Sequence, residues 1–342
     1  MKEVTPIGSR KSDHIRINLG EDVQSDLTTG LEHYHFIHRA VPEVNLKEVD
    51  SSLTLFGKSI HAPILISSMT GGTDEATRIN QILATAAQET RVAMGVGSQR
   101  IAIEQPDLAK SFQIRSYAPD ILLFANLGAI QLNYGYGIDE CQRAVDMIEA
   151  DGLVLHLNSV QEAIQKEGGT QFAGLISKIE SICKNLSVPV IAKEVGWGFS
   201  EQDVTLLTQA GVSAIDVAGA GGTSWALVEK HRTEDMHQRK IAEAFSDWGI
   251  PTAEAILNVL HVSPAMKIIA SGGLRTGVDI AKCIALGASL GGMASPFLKA
   301  ATQSVDETIK MISMIREEIN ICMFATGSKT INQIRENKLV KK

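Results

Sequence analysis

Eight short apolar runs, each followed by a segment of helical periodicity, constrain this chain more than any other feature. The runs are Ile64–Ser68, Val92–Val96, Ile121–Asn126, Leu153–Asn158, Pro189–Val195, Ala214–Ala218, Lys267–Ala270 and Ser289–Met293. Near-continuous apolar runs of this length suit strands buried on both faces, and alternation with helices calls for parallel pairing through crossovers. Eight such units have the count and rhythm of an α/β (β/α)8 TIM barrel. A doubly wound open sheet alternates similarly, but the strand count and the lack of G-x-G-x-x-G after the first run favour the barrel.

The connecting segments carry helix signals of their own. Ala76, Ile79, Ile82, Leu83, Ala86 and Ala87 share one helical face. Ser200 with Asp203, and Thr276 with Asp279, have capping-box spacing, and Gly211 and Gly287 stand where those helices should end. Two stretches break the repeat. Residues 1–62 precede the barrel, and within them Ser52–Ile60 reads as a hairpin, turning at Gly57-Lys58, that can plug the barrel's amino-terminal end. Residues 219–250, glycine-rich and then charged, separate the sixth and seventh strands; loops of that length serve as lids, binding loops or oligomer contacts. The chain thus divides into an arm and hairpin (1–62), a barrel (63–331) and a tail (332–342) expected to fray.

A net charge of −7 gives no reason to expect nucleic acid or an anionic membrane as partner, so any anionic ligand must be held by a local basic cluster. Cys141, Cys183, Cys283 and Cys322 are scattered without a C-x-x-C pair, which suggests neither a zinc site nor a disulfide framework and fits a reducing cytoplasm. There is no apolar signal core at the amino terminus and no run of membrane-spanning length.

The passage H-L-N-S-V-Q-E, His156–Glu162, is the strongest pointer to chemistry. In an extended run Val154, His156 and Asn158 share one face, so polar side chains crowd the carboxyl end of a buried strand, with Gln161 and Glu162 in the loop beyond. A carboxylate there can hold a hard cation while His, Asn and Gln orient an anionic ligand. At the other side of the expected rim, Ser271-Gly272-Gly273-Leu274-Arg275 and Gly291-Gly292-Met293-Ala294-Ser295 follow strands seven and eight. Glycine turns opening onto helix amino termini suit a phosphate, and these are the loops where many barrels hold one. Gly219–Thr223 can close that cradle. Ser67, Ser68, Met69, Thr70, Ser98, Arg100 and Asn126 end on the same rim, and Lys193 shares a face with Ile191, so its ammonium can enter the barrel mouth toward a ligand anion such as a flavin's N1–C2=O edge.

With these residues in order, the chain resembles the FMN-dependent, type 2 isopentenyl diphosphate isomerases. The resemblance runs from Arg10 to about Ile331 and rests on R-K-S-D-H at 10–14, S-S-M-T-G-G at 67–72, G-S-Q-R at 97–100, A-N-L-G at 125–128, H-x-N-x-x-Q-E at 156–162, A-K-E-V-G at 192–196, A-G-G-T-S-W at 220–225 and A-S-G-G-L-R at 270–275. It implies a (β/α)8 enzyme that interconverts isopentenyl and dimethylallyl diphosphate with reduced FMN, NADPH as reductant and Mg²⁺, commonly as a homo-oligomer of four or more subunits. Motif by motif, it implies that Ser68, Met69, Thr70, Ser98, Asn126 and Lys193 contact the flavin ring. Thr223, Gly272, Gly273, Leu274, Ala294 and Ser295 would hold its phosphate. Arg10, Lys11 and His14 match a diphosphate-binding arm, assisted by Arg100, His156 and Asn158; Gln161 matches the substrate-contacting glutamine and Glu162 the magnesium carboxylate. Unaided, the Arg10-Lys11 pair reads as a solvated tail; the resemblance makes it an arm that imports positive charge and folds over the substrate.

The implied reaction adds a proton at C4 and removes one from C2, without net redox. That places Gln161, His156 and Asn158 nearest the chemistry, with reduced FMN as the proton relay. The nearest rival is an FMN-dependent oxidoreductase of the 2-hydroxy acid oxidase type, which needs an H-G-G-R motif where this chain reads Gly219-Ala220-Gly221-Gly222-Thr223. An inosinate-dehydrogenase-like reading needs a loop cysteine that is lacking, and a non-catalytic flavin module would not need Gln161-Glu162 beside His156 and Asn158.

Overall fold

The computed structural model describes residues 6–336 and 339–342, with side chains from Lys11 onward. Eight parallel strands close into a barrel in chain order: β1 Ile64–Ile66, β2 Ala93–Gly95, β3 Leu123–Gly128, β4 Gly152–His156, β5 Val190–Lys193, β6 Ala214–Asp216, β7 Lys267–Ala270 and β8 Leu290–Met293. Each lies within or overlaps one of the apolar runs, and β8 returns to β1 through the pairs Gly291↔Ile64 and Met293↔Ile66. The regular strands are mostly shorter than the runs, because the carboxyl ends of the runs leave the ladder to build loops.

Alternation sorts the side chains. Leu65, Ala93, Phe124, Val154, Ile191, Ala214, Ile269 and Leu290, one from each strand, fill the barrel interior as a single apolar cluster. Their chain neighbours Ile64, Ile66, Leu153, Leu155 and Ala192 point outward into the larger cluster beneath the helices. The helix Asp74–Thr90 is capped by Thr73, whose side chain accepts from Ala76 N–H, and buries Ala76, Ile79, Leu83, Ala86 and Ala87. Ile82 is only half-buried. Both expected capping boxes form, Ser200 with Asp203 and Thr276 with Asp279.

The hairpin pairs Leu53–Leu55 with Lys58–Ile60. Its turn is at Phe56-Gly57, one residue earlier than expected, with both residues at positive φ (48° and 79°), the geometry whose twist suits a two-residue hairpin. Leu55 and Ile60 complete the interior cluster from below, each burial contributing about 1.5–3 kcal/mol. The described residues of the tail form regular structure. Ile331–Glu336 is helical, and Leu339–Lys341 pairs antiparallel with Tyr34–Phe36, because that strand otherwise presents unpaired backbone groups. Among the described residues no helix is long and apolar enough to cross a membrane.

The 219–250 stretch is a lid rather than an open loop. It contains helices Trp225–Arg232 and Met236–Glu243, and the first packs on the amino-terminal helix Pro6–Gly20. Ile17, Val23 and Val228, with Trp225 and Leu227 against them, make a small apolar core separate from the barrel. Two segments far apart in sequence thereby roof the same end of the barrel.

Candidate active site

Two residues beyond the interior apolar layer, the same inward face of the eight strands reads Ser67, Gly95, Asn126, His156, Lys193, Asp216, Ser271 and Gly292. The period of two that makes the apolar layer therefore dictates a polar one above it. Two of its members are glycines for lack of room: a Cβ at Gly95 would lie 2.7 Å from Ser68 Oγ, and one at Gly292 would lie 2.6 Å from Ser67 Oγ. Six of its members, Ser67, Asn126, His156, Lys193, Ser271 and Gly292, floor a cavity of about 760 Å³, within the range of small-molecule sites, roofed by the amino-terminal helix and the lid.

All candidate residues but one line that cavity. Ser68, Met69, Thr70, Ser98 and Asn126 do so from the early strand ends, and Arg100, His156, Asn158, Gln161, Glu162 and Lys193 from the middle ones. Thr223, Gly272, Gly273, Leu274, Ala294 and Ser295 line it from the late loops, and Lys11 and His14 from the arm. The side chain of Arg10 lies outside the described residues.

Gln161 and Glu162 occupy the short helix Ser159–Ile164, not a loop, because the Asn158 carbonyl accepts the Glu162 N–H at 2.9 Å. Asn158 Nδ2 donates to Gln161 Oε1 and Glu162 Oε1, both at 3.0 Å. Gly169 N–H donates to Glu162 Oε2 at 2.6 Å. Gln161 Nε2 donates in turn to Glu229 Oε1 at 3.1 Å, so its amide is held at both ends. Glu229, on the lid, also meets His14 Nε2 at 3.3 Å and Arg232 Nη1 at 2.6 Å. Burial works to raise the Glu229 carboxyl, but the hydrogen bond and charge of His14, the bond from Gln161 and the Arg232 charge outweigh it and hold the group below the ordinary value. His14 packs edge-on to Trp225, ring centroids 4.9 Å apart, and Lys11 Nζ donates to the Ser98 carbonyl at 2.7 Å. The arm is thus a helix docked over the mouth, tied to the lid and to the loop after β2.

Lys193 is both structural and site-facing. Its ammonium lies 3.0 Å from Asp216 Oδ2 and 3.3 Å from Ser271 Oγ, and Ser271 donates to Asp216 Oδ1 at 2.6 Å. Arg100 spends its Nε–H on Glu104 (2.7 Å) while lining the cavity.

The late loops form a glycine cradle. Gly272 and Gly273 sit at φ +104° and +74°, and a Cβ there would lie 2.1 Å from the Gly219 carbonyl and 2.2 Å from the Gly221 carbonyl. Only glycine permits this approach of two backbones. Thr252, fully buried, donates its hydroxyl to the Gly272 carbonyl at 2.7 Å and ties the turn to the helix Thr252–Val262. The donor set fits a flavin phosphate at this end. Ser67 Oγ, Thr70 Oγ1 and Asn158 Oδ1, all buried, have no hydrogen-bond partner among the described residues, as expected of atoms that complete their bonding with a bound polar molecule. A metal is less fully provided for: among the described residues no three His, Cys, Asp or Glu side chains cluster as ligands, so a metal held by Glu162 would take most of its shell from the ligand's own oxygens and water.

Sequence reasoning missed Asp216, Glu229 and Thr252. Asp216 was legible, since strict alternation from Ala214 puts it inward. Glu229 and Thr252 act across loops, and nothing local marks them.

Comparison with known proteins decides the family. Residues 142–341 match the family described as FMN-dependent dehydrogenase. Over 96% of its length the chain is 54% identical to the isopentenyl-diphosphate delta-isomerase of Nostoc sp., covering 94% of that protein. The corresponding enzymes of Synechocystis sp. and Rickettsia peacockii are 52% and 48% identical, each over 96% of this chain and over 94% and 96% of their own lengths. The chain belongs to the isopentenyl-diphosphate delta-isomerase family. It is by that membership an isomerase of FMN type. Among solved structures, this isomerase-family chain superposes on mandelate oxidase with a TM-score of 0.69 at 16% identity, covering 99% of this chain and 100% of that one. Flavocytochrome b2 gives 0.69 at 17%, over 96% of this chain and 82% of that one. At such identity the likeness is one of fold, the TIM barrel.

Proposed function

We propose that this protein interconverts isopentenyl and dimethylallyl diphosphate, using reduced FMN with Mg²⁺ on the diphosphate. The observation that carries the reading is that His156, Asn158, Gln161 and Glu162 share one roofed cavity with Lys193 and the Gly272-Gly273 turn. That cavity offers a glycine-turn phosphate cradle, a cation for a flavin's electron-rich edge and a carboxylate for a metal-held diphosphate.

When bound, reduced FMN supplies the acid–base group and an electron-rich face for the positive charge that alkene protonation creates. The chain's residues do the rest. The glycine turns, with Thr223, Leu274, Ala294 and Ser295, hold the phosphate through backbone N–H groups and helix amino termini. Ser68, Met69, Thr70, Ser98 and Asn126 support the ring, and Lys193 faces its N1–C2=O edge. Lys11, His14, Arg100 and His156 import the positive charge that a diphosphate needs in an acidic protein, and Arg10 extends the same basic arm. Glu162 takes the Mg²⁺, so that the good allylic leaving group is held without being lost. Gln161, with its amide fixed by Asn158 and Glu229, orients the carbon chain beside His156; a held amide is a poor acid and is better suited to positioning than to proton transfer. The docked arm and lid exclude water from a cationic intermediate of the substrate. NADPH would serve only to reduce the flavin. A homo-oligomer of four or more subunits in the cytoplasm completes the reading.

The test is an anaerobic assay of the purified protein with FMN, NADPH, Mg²⁺ and isopentenyl diphosphate, resolving product by mass. Dimethylallyl diphosphate that forms only when the flavin is reduced is the expected result; none forming with the flavin bound and reduced would overturn it.

A further inference from the structure

The polar ring contains one charged side chain that the reading above leaves without a part. Asp216 is 1% exposed, and it stands behind the cavity wall, against Lys193. The hydrogens in this group have one consistent arrangement. Ser271 gives its only hydrogen to Asp216 Oδ1, which leaves its oxygen to accept from Lys193. An ammonium has three donors. With one on Asp216 and one on Ser271, the third is left for the cavity. Lys193, Asp216 and Ser271 come from β5, from β6 and from just beyond β7, so the barrel closure itself sets their spacing.

We propose that Asp216 is a positioning residue that aims the Lys193 ammonium and offsets its charge, so that a reduced flavin bound there retains its N1 proton instead of ionising fully. The inference rests on the FMN reading above. A bare cation at the N1–C2=O edge favours the anionic reduced flavin and so favours electron uptake. A reaction without net electron transfer gains nothing from that and depends instead on protons that stay available. A carboxylate one hydrogen bond behind the cation shifts the balance in that direction while keeping the side chain fixed. His156, the register neighbour of Lys193 on β4, is another titratable group at this level, as is the buried carboxyl of Glu194 next to Lys193, with Lys11, His14, Glu21, Asp22, Arg100, Glu162, Arg275, Lys299 and Glu307 on the rim. All of these remain in place in the variants below.

The experiment is an anaerobic pH titration of the reduced holoenzyme, following the absorbance change from neutral to anionic reduced flavin. It compares the wild type with Asp216→Asn, Lys193→Gln and the double variant. Removing the carboxylate is expected to lower the midpoint by about one pH unit, a tenfold change in the ionisation constant, and to make the potential of the bound FMN less negative. Lys193→Gln is expected to raise the midpoint, and adding Asp216→Asn to it to bring the midpoint back down. An unmoved midpoint in an Asp216→Asn protein that binds FMN would overturn the proposal. If that variant does not fold, equal midpoints in Lys193→Gln with and without Asp216→Asn would do the same, since the double variant carries no lone charge. Failure of the wild type to take up FMN would overturn the function proposed above together with this inference; normal uptake with unmoved midpoints overturns this inference alone.

Discussion

His156 Nδ1 lies 2.8 Å from Asn126 Oδ1, across the register pairing of β3 and β4. An amide oxygen can only accept, so Nδ1 carries a hydrogen and Nε2 faces the other way. A Cβ at Gly128 would come within 3.2 Å of that Nε2, so the glycine leaves room for the ring. Asn126 is in turn held by Gln99, whose Oε1 accepts the Asn126 N–H at 2.9 Å. Asn126 therefore orients His156 as well as facing the cavity. Asn126→Ala is expected to lower kcat about tenfold, the worth of one orienting hydrogen bond, with the protein still folded. Steady-state kinetics beside a thermal melt check this; unchanged kcat would remove Asn126 from the positioning of the imidazole.

Thr252 offers a test of the phosphate cradle that spares the cavity lining. Thr252→Val removes a buried hydroxyl that donates to the Gly272 carbonyl at 2.7 Å and leaves that acceptor unpaired, at a cost of about 1–3 kcal/mol. The expected outcome is weaker binding of FMN with riboflavin binding little changed, measured by flavin fluorescence. Equal loss for both flavins would mean that the turn does not hold the phosphate.

Gly273→Ala is more severe. Its φ of +74° and a 2.2 Å approach to the Gly221 carbonyl oppose any side chain, and backbone on both sides leaves little scope for relief. We expect at least ~1–2 kcal/mol lost from the conformation alone and protein purified without flavin. A yellow, fully loaded variant would count against the cradle.

Glu162→Gln keeps the side chain's shape and, through its single amide oxygen, one of the two hydrogen bonds that Asn158 and Gly169 donate to the carboxylate, while removing its charge. The Mg²⁺ concentration for half-maximal activity should rise by about 100-fold or more, since loss even of a supporting partner costs roughly 10–100-fold in metal affinity. FMN binding should be unaffected. An unchanged Mg²⁺ requirement would place the metal elsewhere.

Glu194 provides a pH dependence of stability. Burial pushes its carboxyl up to about 7, against the N–H groups of Trp197, Gly196 and Val195 and the Lys193 charge, which pull the other way. The folded value lies above the ordinary 4.5, so the native state keeps a proton that the unfolded chain releases between those values. The resulting stability is fully present below pH 4.5 and is lost as the pH rises through about 7. Glu194→Gln retains an oxygen for the three N–H donors and does not titrate. Denaturant melts at pH 5 and 8 should therefore show the wild type losing stability relative to Glu194→Gln on going to the higher pH.

The barrel was legible in the chain because its strands are local: each apolar run of a few residues states its own burial, and alternation within it places Val154 and His156, or Ile191 and Lys193, on one inward face. The plugging hairpin, the capping boxes and the glycine turns were legible for the same reason, each being decided within four or five residues. Boundaries were less so. Gln161 and Glu162 lie on a helix, and the chain end is tied to Tyr34–Phe36, because those outcomes depend on partners distant in sequence. Only the tertiary structure decided that Glu229 reaches Gln161, that Thr252 fastens Gly272, that the arm and the 219–250 stretch share an apolar core, and that Asp216 backs Lys193. Sequence sets which face a side chain takes along its own strand; which foreign group it meets there is set by the closure of the barrel and the packing of its loops, where contacts between residues dozens to hundreds apart leave no local periodicity to read.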